Sequence, residues 1–276
     1  MIVLVTGANG MIGSELVKAL RINGFTVIGI DRVDKEGCIR AELEDKEKIQ
    51  EVIKGNHVDR IIHLAALAHT EDELDLSWER YYHVNVECAR NVFECAGNLP
   101  VLYISTIDVY GFYDGKEKLT AQSIIKPVSN YAKSKAMAEE DCCKLPHYTI
   151  FRFSPVYTDK VKKDIQKRYY LKYPNIAYQI GKGTYYEVLN IKRAVDEMVG
   201  WCMKEPENDI RIIKDDFSMW TPDYIKAERA AGRAKIVLRI PRWMVNCGYV
   251  VIKTFFGENE KTFLLNKAVH PLRTEV

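Results

Sequence analysis

An α/β fold built on a doubly wound parallel sheet, with a smaller C-terminal α/β lobe, follows from three features of this 276-residue chain. Five short apolar runs of strand length alternate with helical periodicity through the first 105 residues. Strands separated by crossover helices run parallel, because each helix carries the chain back to start the next strand at the same end. After Thr158 the sequence turns Lys- and Tyr-rich, punctuated by Pro174, Pro206, Pro222 and Pro241. Residues 1–157 therefore read as one domain and residues 158–276 as a second, smaller lobe.

The elements follow in order. Ile2, Val3, Leu4 and Val5 form a buried strand that breaks at Gly7, and apolar residues at helical spacing resume over 14–20. The turn between them, Gly7-Ala8-Asn9-Gly10-Met11-Ile12-Gly13, opens a helix whose first N–H groups are unpaired and carry partial positive charge. Its glycines let backbone approach a phosphate closely. Residues 25–30 form the second strand, ending in Asp31 and Arg32. Asp31 falls 18 residues after Gly13, close to the spacing of about 20 residues for an acid that binds an adenosine ribose. A carboxylate there accepts from both ribose hydroxyls and repels a 2′-phosphate, which favours NAD over NADP. Arg32 is the counter-signal, since a guanidinium pairs with that phosphate.

A short strand is expected at 38–41, a charged helix at 45–53 and a strand at 58–66 ending in Leu64, Ala65 and Ala66. His63, inside that apolar run, reads as a core histidine hydrogen-bonded to backbone. Residues 76–96 are helical, 100–105 are a strand, and a long loop over 111–128 leads to a helix at 129–140 and a strand at 148–153.

Composition bounds the function. A net charge of +2 gives no reason to expect nucleic acid or a membrane as partner. Seven cysteines without metal-ligand rhythm read as reduced thiols in a cytoplasmic protein, Cys142 and Cys143 as two side chains on a solvated helix, and no metal site is expected. The apolar start lacks a basic flank and breaks after five residues, so it does not read as a signal peptide. Residues 243–256 are too short and too interrupted to span a bilayer. They read as a helix packed in the C-terminal lobe, with an interfacial helix as the alternative.

Tyr131 and Lys135 are four apart on a predicted helix and share a face. A tyrosine of ordinary pKa is a poor base at neutral pH, and a cation beside it stabilises the phenolate. Such a pair takes a proton from a substrate hydroxyl while hydride leaves the same carbon for a nicotinamide. Thr106, at the end of the fifth strand, is placed to hold the substrate oxygen.

Taken jointly, the glycine turn, the acid after strand two, Leu64-Ala65-Ala66, Ser105-Thr106 and Tyr131-x-x-x-Lys135 resemble the extended short-chain dehydrogenase/reductase superfamily. Within it, the pattern is similar to the NAD-dependent epimerase/dehydratase family, which acts on nucleotide sugars. The resemblance implies a Rossmann-type dinucleotide-binding domain and a C-terminal substrate lobe. Gly7, Gly10, Met11, Ile12 and Gly13 would hold the pyrophosphate and Asp31, with Arg32 beside it, the adenosine ribose. Glu42 and Leu43 would lie along the adenine, and Leu64, Ala65 and Ala66 would line the cofactor cleft. Asn85 matches the structural asparagine of the fourth helix and is counted with the cofactor site. Thr106, Tyr131 and Lys135 would be catalytic, Lys135 also binding the nicotinamide ribose and Tyr131 counted with the cofactor site. A homodimer through the 76–96 and 130–143 helices is implied as well.

Departures from the family pattern narrow the reaction. Ile107 stands where sugar dehydratases carry an acid, which argues against dehydration. Pro155 replaces the usual asparagine, and Tyr185-Tyr186-Glu187 replaces the arginine that would grip a substrate diphosphate, leaving Lys182, Lys192 and Arg193 as candidate cations. The expected activity is an NAD(P)-dependent epimerase or reductase of a secondary alcohol or ketone of a nucleotide sugar. The alternatives are a reductase of a non-sugar ketone and a non-catalytic NAD(P)-binding sensor.

Overall fold

The computed structural model describes residues 1–33, 37–68, 77–159 and 163–275. The expected helix start at Leu76 lies outside those residues. Apolar β1 (Ile2–Thr6) is followed by α1 (Met11–Ile22), β2 (Thr26–Asp31), β3 (Cys38–Arg40) and α2 (Lys46–Gly55). Asp45 caps α2 by accepting from the Lys48 amide at 2.9 Å, which satisfies one of the helix's free N–H groups. Next come β4 (Arg60–His63) and α3 (Trp78–Tyr82), which continues through a π-turn at His83–Glu87 into α4 (Cys88–Ala96), and then β5 (Val101–Thr106). A 3₁₀ turn, Ile107–Tyr110, precedes α5 (Asn130–Cys142) and β6 (Tyr148–Phe153).

Further on are β7 (Val156–Tyr157), α6 (Lys163–Gln166), β8 (Tyr170–Lys172), β9 (Ile176–Ile180), β10 (Tyr185–Glu187) and β11 (Leu189–Asn190). The chain ends with α7 (Ile191–Met203), β12 (Asp209–Ile213), β13 (Ser218–Trp220), α8 (Thr221–Ala230), β14 (Ile236–Ile240), α9 (Arg242–Phe256) and α10 (Glu260–Val269).

Two compact units result, and neither is one continuous stretch. The first comprises residues 1–109, 130–152 and 192–211. Its sheet has the order β12-β6-β5-β4-β1-β2-β3, with β1 parallel to both β2 and β4. The chain leaves β1 in one direction for β2 and returns on the other side at β4, so the switch point of the winding lies between β1 and β4. Ligands of doubly wound sheets bind beyond the carboxyl ends at that point. Leu4, Ile30, Ile49, Val92 and Tyr103 belong to one buried cluster of this unit.

The second unit comprises residues 110–129, 153–191 and 212–276. Three small sheets organise it: β7 with β11, β10 with β13, and β8-β9-β14. Tyr169, Tyr170, Tyr186, Met219 and Ile225 form its buried cluster. The expected loop at 111–128 is irregular yet pinned. Leu119 bridges to Thr274, and the Asn266 side chain accepts from the Tyr113 amide and donates to its carbonyl.

No helix among the described residues is long and apolar enough to cross a membrane. Two local expectations need correction. Cys142 is fully buried and only Cys143 is exposed, because α5 turns that face onto the sheet. The helix at 242–256 forms, but Tyr249 is its only buried residue and most of its large apolar side chains face solvent.

Candidate active site

The glycine turn meets the segment after β4 at the switch point. Gly7 has φ +69°, and a Cβ there would lie 2.8 Å from the Ala65 amide nitrogen. Only glycine fits, since both the backbone conformation and the space exclude a side chain. A Cβ on Gly13 would run into the Gly7 carbonyl oxygen, and α1 starts at Gly10 with no side-chain cap and no acid in its first turn. Met11, Ile12 and Gly13 thus present helix-start N–H groups that no cap side chain and no first-turn acid neutralises. These features fit a dinucleotide pyrophosphate.

Asp31 sits at the end of β2, half-buried, with one carboxylate oxygen accepting from the Asn9 amide at 2.9 Å and the other from the Val33 amide at 3.1 Å. Each oxygen keeps lone pairs for further donors, as a ribose diol requires. Asn9 also donates from its side chain to the Val33 carbonyl at 2.8 Å, tying the turn to the acid's loop. Sequence reasoning passed over Asn9, although it lies inside the motif. Arg32 and Glu42 are exposed, Leu43 and Leu64 and Ala65 half-buried, Ala66 exposed.

His63 is a core histidine, as expected, but its partner is a hydroxyl rather than backbone. Its Nδ1 lies 2.7 Å from Thr6 Oγ1, which also accepts from the Ala65 amide at 3.3 Å. Burial, with the Lys135 charge adding to it, pushes its pKa down to about 3, so it is neutral at working pH.

Asn85 turns its amide to the protein. Its oxygen accepts from the Leu67 amide at 2.7 Å, and its nitrogen donates to the Leu67 carbonyl at 3.0 Å and to Ser134 Oγ at 2.9 Å. Ser134 in turn donates to the Tyr131 carbonyl at 2.8 Å. The π-turn that carries Asn85 therefore fastens the strand-four loop to the first turn of α5. Such bulges recur at functional sites.

Helix α5 carries the expected pair and lies against β5. Tyr131 is half-buried in its first turn, 6.3 Å from Tyr81 between ring centroids. Lys135 is 2% exposed, with Nζ 4.1 Å from the centre of the Tyr103 ring on β5. Burial lowers its pKa to about 7, opposed by the charge of Glu139 one turn on. Glu139 is itself locked to Arg152 on β6, with Nη2–Oε2 at 2.7 Å and Nε–Oε1 at 3.1 Å, both side chains 4% exposed. Tyr131, Lys135 and Glu139 repeat every fourth residue, and that spacing was the available signal for Glu139. Thr106 closes β5, half-buried, its Oγ1 accepting from the Asp108 amide at 3.2 Å. Tyr103 and Thr106 share a strand, so β5 positions both the lysine's cushion and the hydroxyl.

In the second unit, the position read as a missing diphosphate arginine is explained. Glu187 is buried and accepts from Lys214 Nζ at 2.8 Å, the Thr274 amide at 2.7 Å and the Thr274 hydroxyl at 2.5 Å. It anchors the C-terminal segment. At the 181–183 glycine turn, Arg242 donates to the Gly183 carbonyl at 2.8 Å and to Thr184 Oγ1 at 3.1 Å. Lys182 and Lys192 are exposed, and Arg193 lies 3.7 Å from Glu197.

A glycine turn at the switch point of a doubly wound sheet, with a buried lysine one helical turn from a tyrosine, defines a Rossmann-type nucleotide-binding protein. The chain belongs to the NAD-dependent epimerase/dehydratase family, whose model matches residues 3–189, and with it to the extended short-chain dehydrogenases/reductases. A dTDP-4-dehydrorhamnose reductase of Aggregatibacter actinomycetemcomitans is 33% identical over 140 residues, covering 49% of this chain and 45% of that one. Protein CapI of Staphylococcus aureus is 28% identical over 160 residues, covering 50% and 48%. The chain thus spans about half the length of the curated relatives it matches. Among solved structures, a UDP-glucuronic acid 4-epimerase from Bacillus cereus in complex with NAD superposes with a TM-score of 0.71 at 21% identity, over 87% of both chains. That likeness carries the fold.

Proposed function

We propose that this chain is an NAD-dependent epimerase or reductase acting on a secondary alcohol or ketone of a nucleotide sugar. The observation that carries the reading is the burial of Lys135 one turn from Tyr131, on a helix pinned to the cofactor-side loop by Asn85 and Ser134. A lysine in such surroundings is costly to the fold, and a catalytic pair gives it a purpose.

In this reading Gly7, Gly10, Met11, Ile12 and Gly13 cradle the pyrophosphate, and Asp31 accepts from the adenosine ribose. Glu42 and Leu43 flank the adenine, and Leu64, Ala65 and Ala66 wall the cleft. Bound NAD supplies a hydride acceptor and donor. Tyr131 exchanges the hydroxyl proton, Lys135 stabilises its phenolate, and Thr106 orients the substrate oxygen by a hydrogen bond. Asn85 is a positioning residue. The matched relatives include a sugar-nucleotide reductase, and the superposed structure is named as a sugar-nucleotide epimerase, which supports the substrate class. Glu187, buried where a diphosphate-binding cation was expected, favours a second reading, reduction of a ketone lacking a diphosphate.

The test is a panel of nucleotide sugars offered to the purified protein with and without added NAD(H). Turnover without added cofactor marks the epimerase, and stoichiometric NADH oxidation marks the reductase. Tyr131→Phe should lose either activity while still binding NAD. Unchanged turnover in that variant would sink the assignment.

A further inference from the structure

Helix α9 turns the usual amphipathic arrangement outward. Six of its large apolar residues, Trp243, Met244, Val250, Val251, Phe255 and Phe256, are exposed by 50% for Met244 up to 78% for Phe255. Their spacing of one, seven, eight, twelve and thirteen places from Trp243 keeps five of them on one stripe along the helix. Cys247 and Thr254 fill the gaps, so the stripe carries no charge. At about 1.5 Å per residue, the 15-residue helix presents about 22 Å of continuous apolar surface. A surface of this kind marks an interaction site.

The charges around it identify the occupant. Between Glu228 and Glu258 the sequence holds Arg229, Arg233, Lys235, Arg239, Arg242 and Lys253 and no acid. Those six cations stand against a net charge of +2 for the whole chain, so the remainder is net negative. Arg233, Arg242 and Lys253 bond to neighbouring protein groups, while Arg229, Lys235 and Arg239 are exposed. The strand just before the helix, β14, edges its sheet and exposes Ile236 and Leu238. A second copy placed on this face by a two-fold axis would bring like cations together. An anionic surface would neutralise them.

We propose that α9 and its flanking cations form a docking surface for an anionic lipid bilayer, with the helix lying in the plane of the headgroups. Trp243 and Phe255 would enter the headgroup–acyl boundary at the two ends of the stripe, and Lys235 and Arg239 would meet lipid phosphates.

The experiment mixes the whole chain with vesicles of phosphatidylcholine alone or with phosphatidylglycerol. Sedimentation with the anionic vesicles only, weakening as salt rises, and a blue shift of Trp243 emission support the proposal. The variant Trp243→Ser/Phe255→Ser/Phe256→Ser should lower vesicle affinity by at least about tenfold, with unchanged circular dichroism and turnover. Lys235→Glu/Arg239→Glu should weaken binding and flatten its salt dependence. Absence of binding to phosphatidylglycerol vesicles, or undiminished binding by the triple variant, overturns it. So does a dimer that the triple variant converts to monomer, which would assign the face to a second copy.

Discussion

Helix α5 buries a lysine and a glutamate, whereas helix α9 exposes a tryptophan and two phenylalanines. Each reverses the common partition of polar outside and apolar inside, and each persists for a different reason. On α5 Arg152 compensates the buried Glu139, and the face of Tyr103 offsets part of the cost of burying Lys135. On α9 nothing among the described residues covers the apolar stripe, so its driving force remains available to a partner. The contrast separates chemistry, which needs an enclosed polar set, from docking, which needs an unsatisfied apolar face.

The sharpest way to break this contrast is at Tyr131. Tyr131→Phe should reduce turnover by about 10²–10⁴-fold with NAD affinity retained, as measured by titration calorimetry alongside steady-state rates. Removing the charge compensation on α5 comes next. Glu139→Gln leaves Arg152 buried without its counter-ion, and chemical denaturation should report a loss of about 3–5 kcal/mol. A loss near zero would show that α5 is held mainly by packing.

Lys135→Met should uncouple activity from stability. Turnover should fall sharply, while the melting temperature rises by about 2–4 °C because a poorly compensated buried amine is gone. The pH dependence has a definite sign. An unfolded lysine keeps its proton up to the ordinary value of 10.5, whereas folded Lys135 releases it near about 7. Between those values the unfolded state binds the extra proton, so native stability rises with pH across that window. Lys135→Met should flatten the slope, and an unaltered slope would show that the lysine is not the titrating group.

The smallest effect belongs to α9. Because its stripe is exposed, Phe255→Ser should change stability by no more than about 0.5 kcal/mol. A larger loss would mean that the stripe is covered within the protein.

Much of the first unit was legible from local pattern. The glycine turn, Asp31, Thr106 and Tyr131-x-x-x-Lys135 each follow from a strand end or a helical repeat. Two features beside them were less accessible. Asn9 was hidden because a turn residue's side chain acts on whichever loop folds beside it, here the Val33 carbonyl. The anchoring of the 111–128 loop is not legible in local pattern because its partners, Asn266 and Thr274, lie about 150 residues further along the chain.

By itself, the sequence determined where strands break, where helices begin and which residue types share a face, because backbone hydrogen bonding and side-chain period act over a few residues. Burial is a property of what long-range contacts lay over each face. Tertiary structure alone therefore decided that Lys135 is sealed over Tyr103, that Glu187 holds Lys214 and Thr274, and that the apolar stripe of α9 faces out.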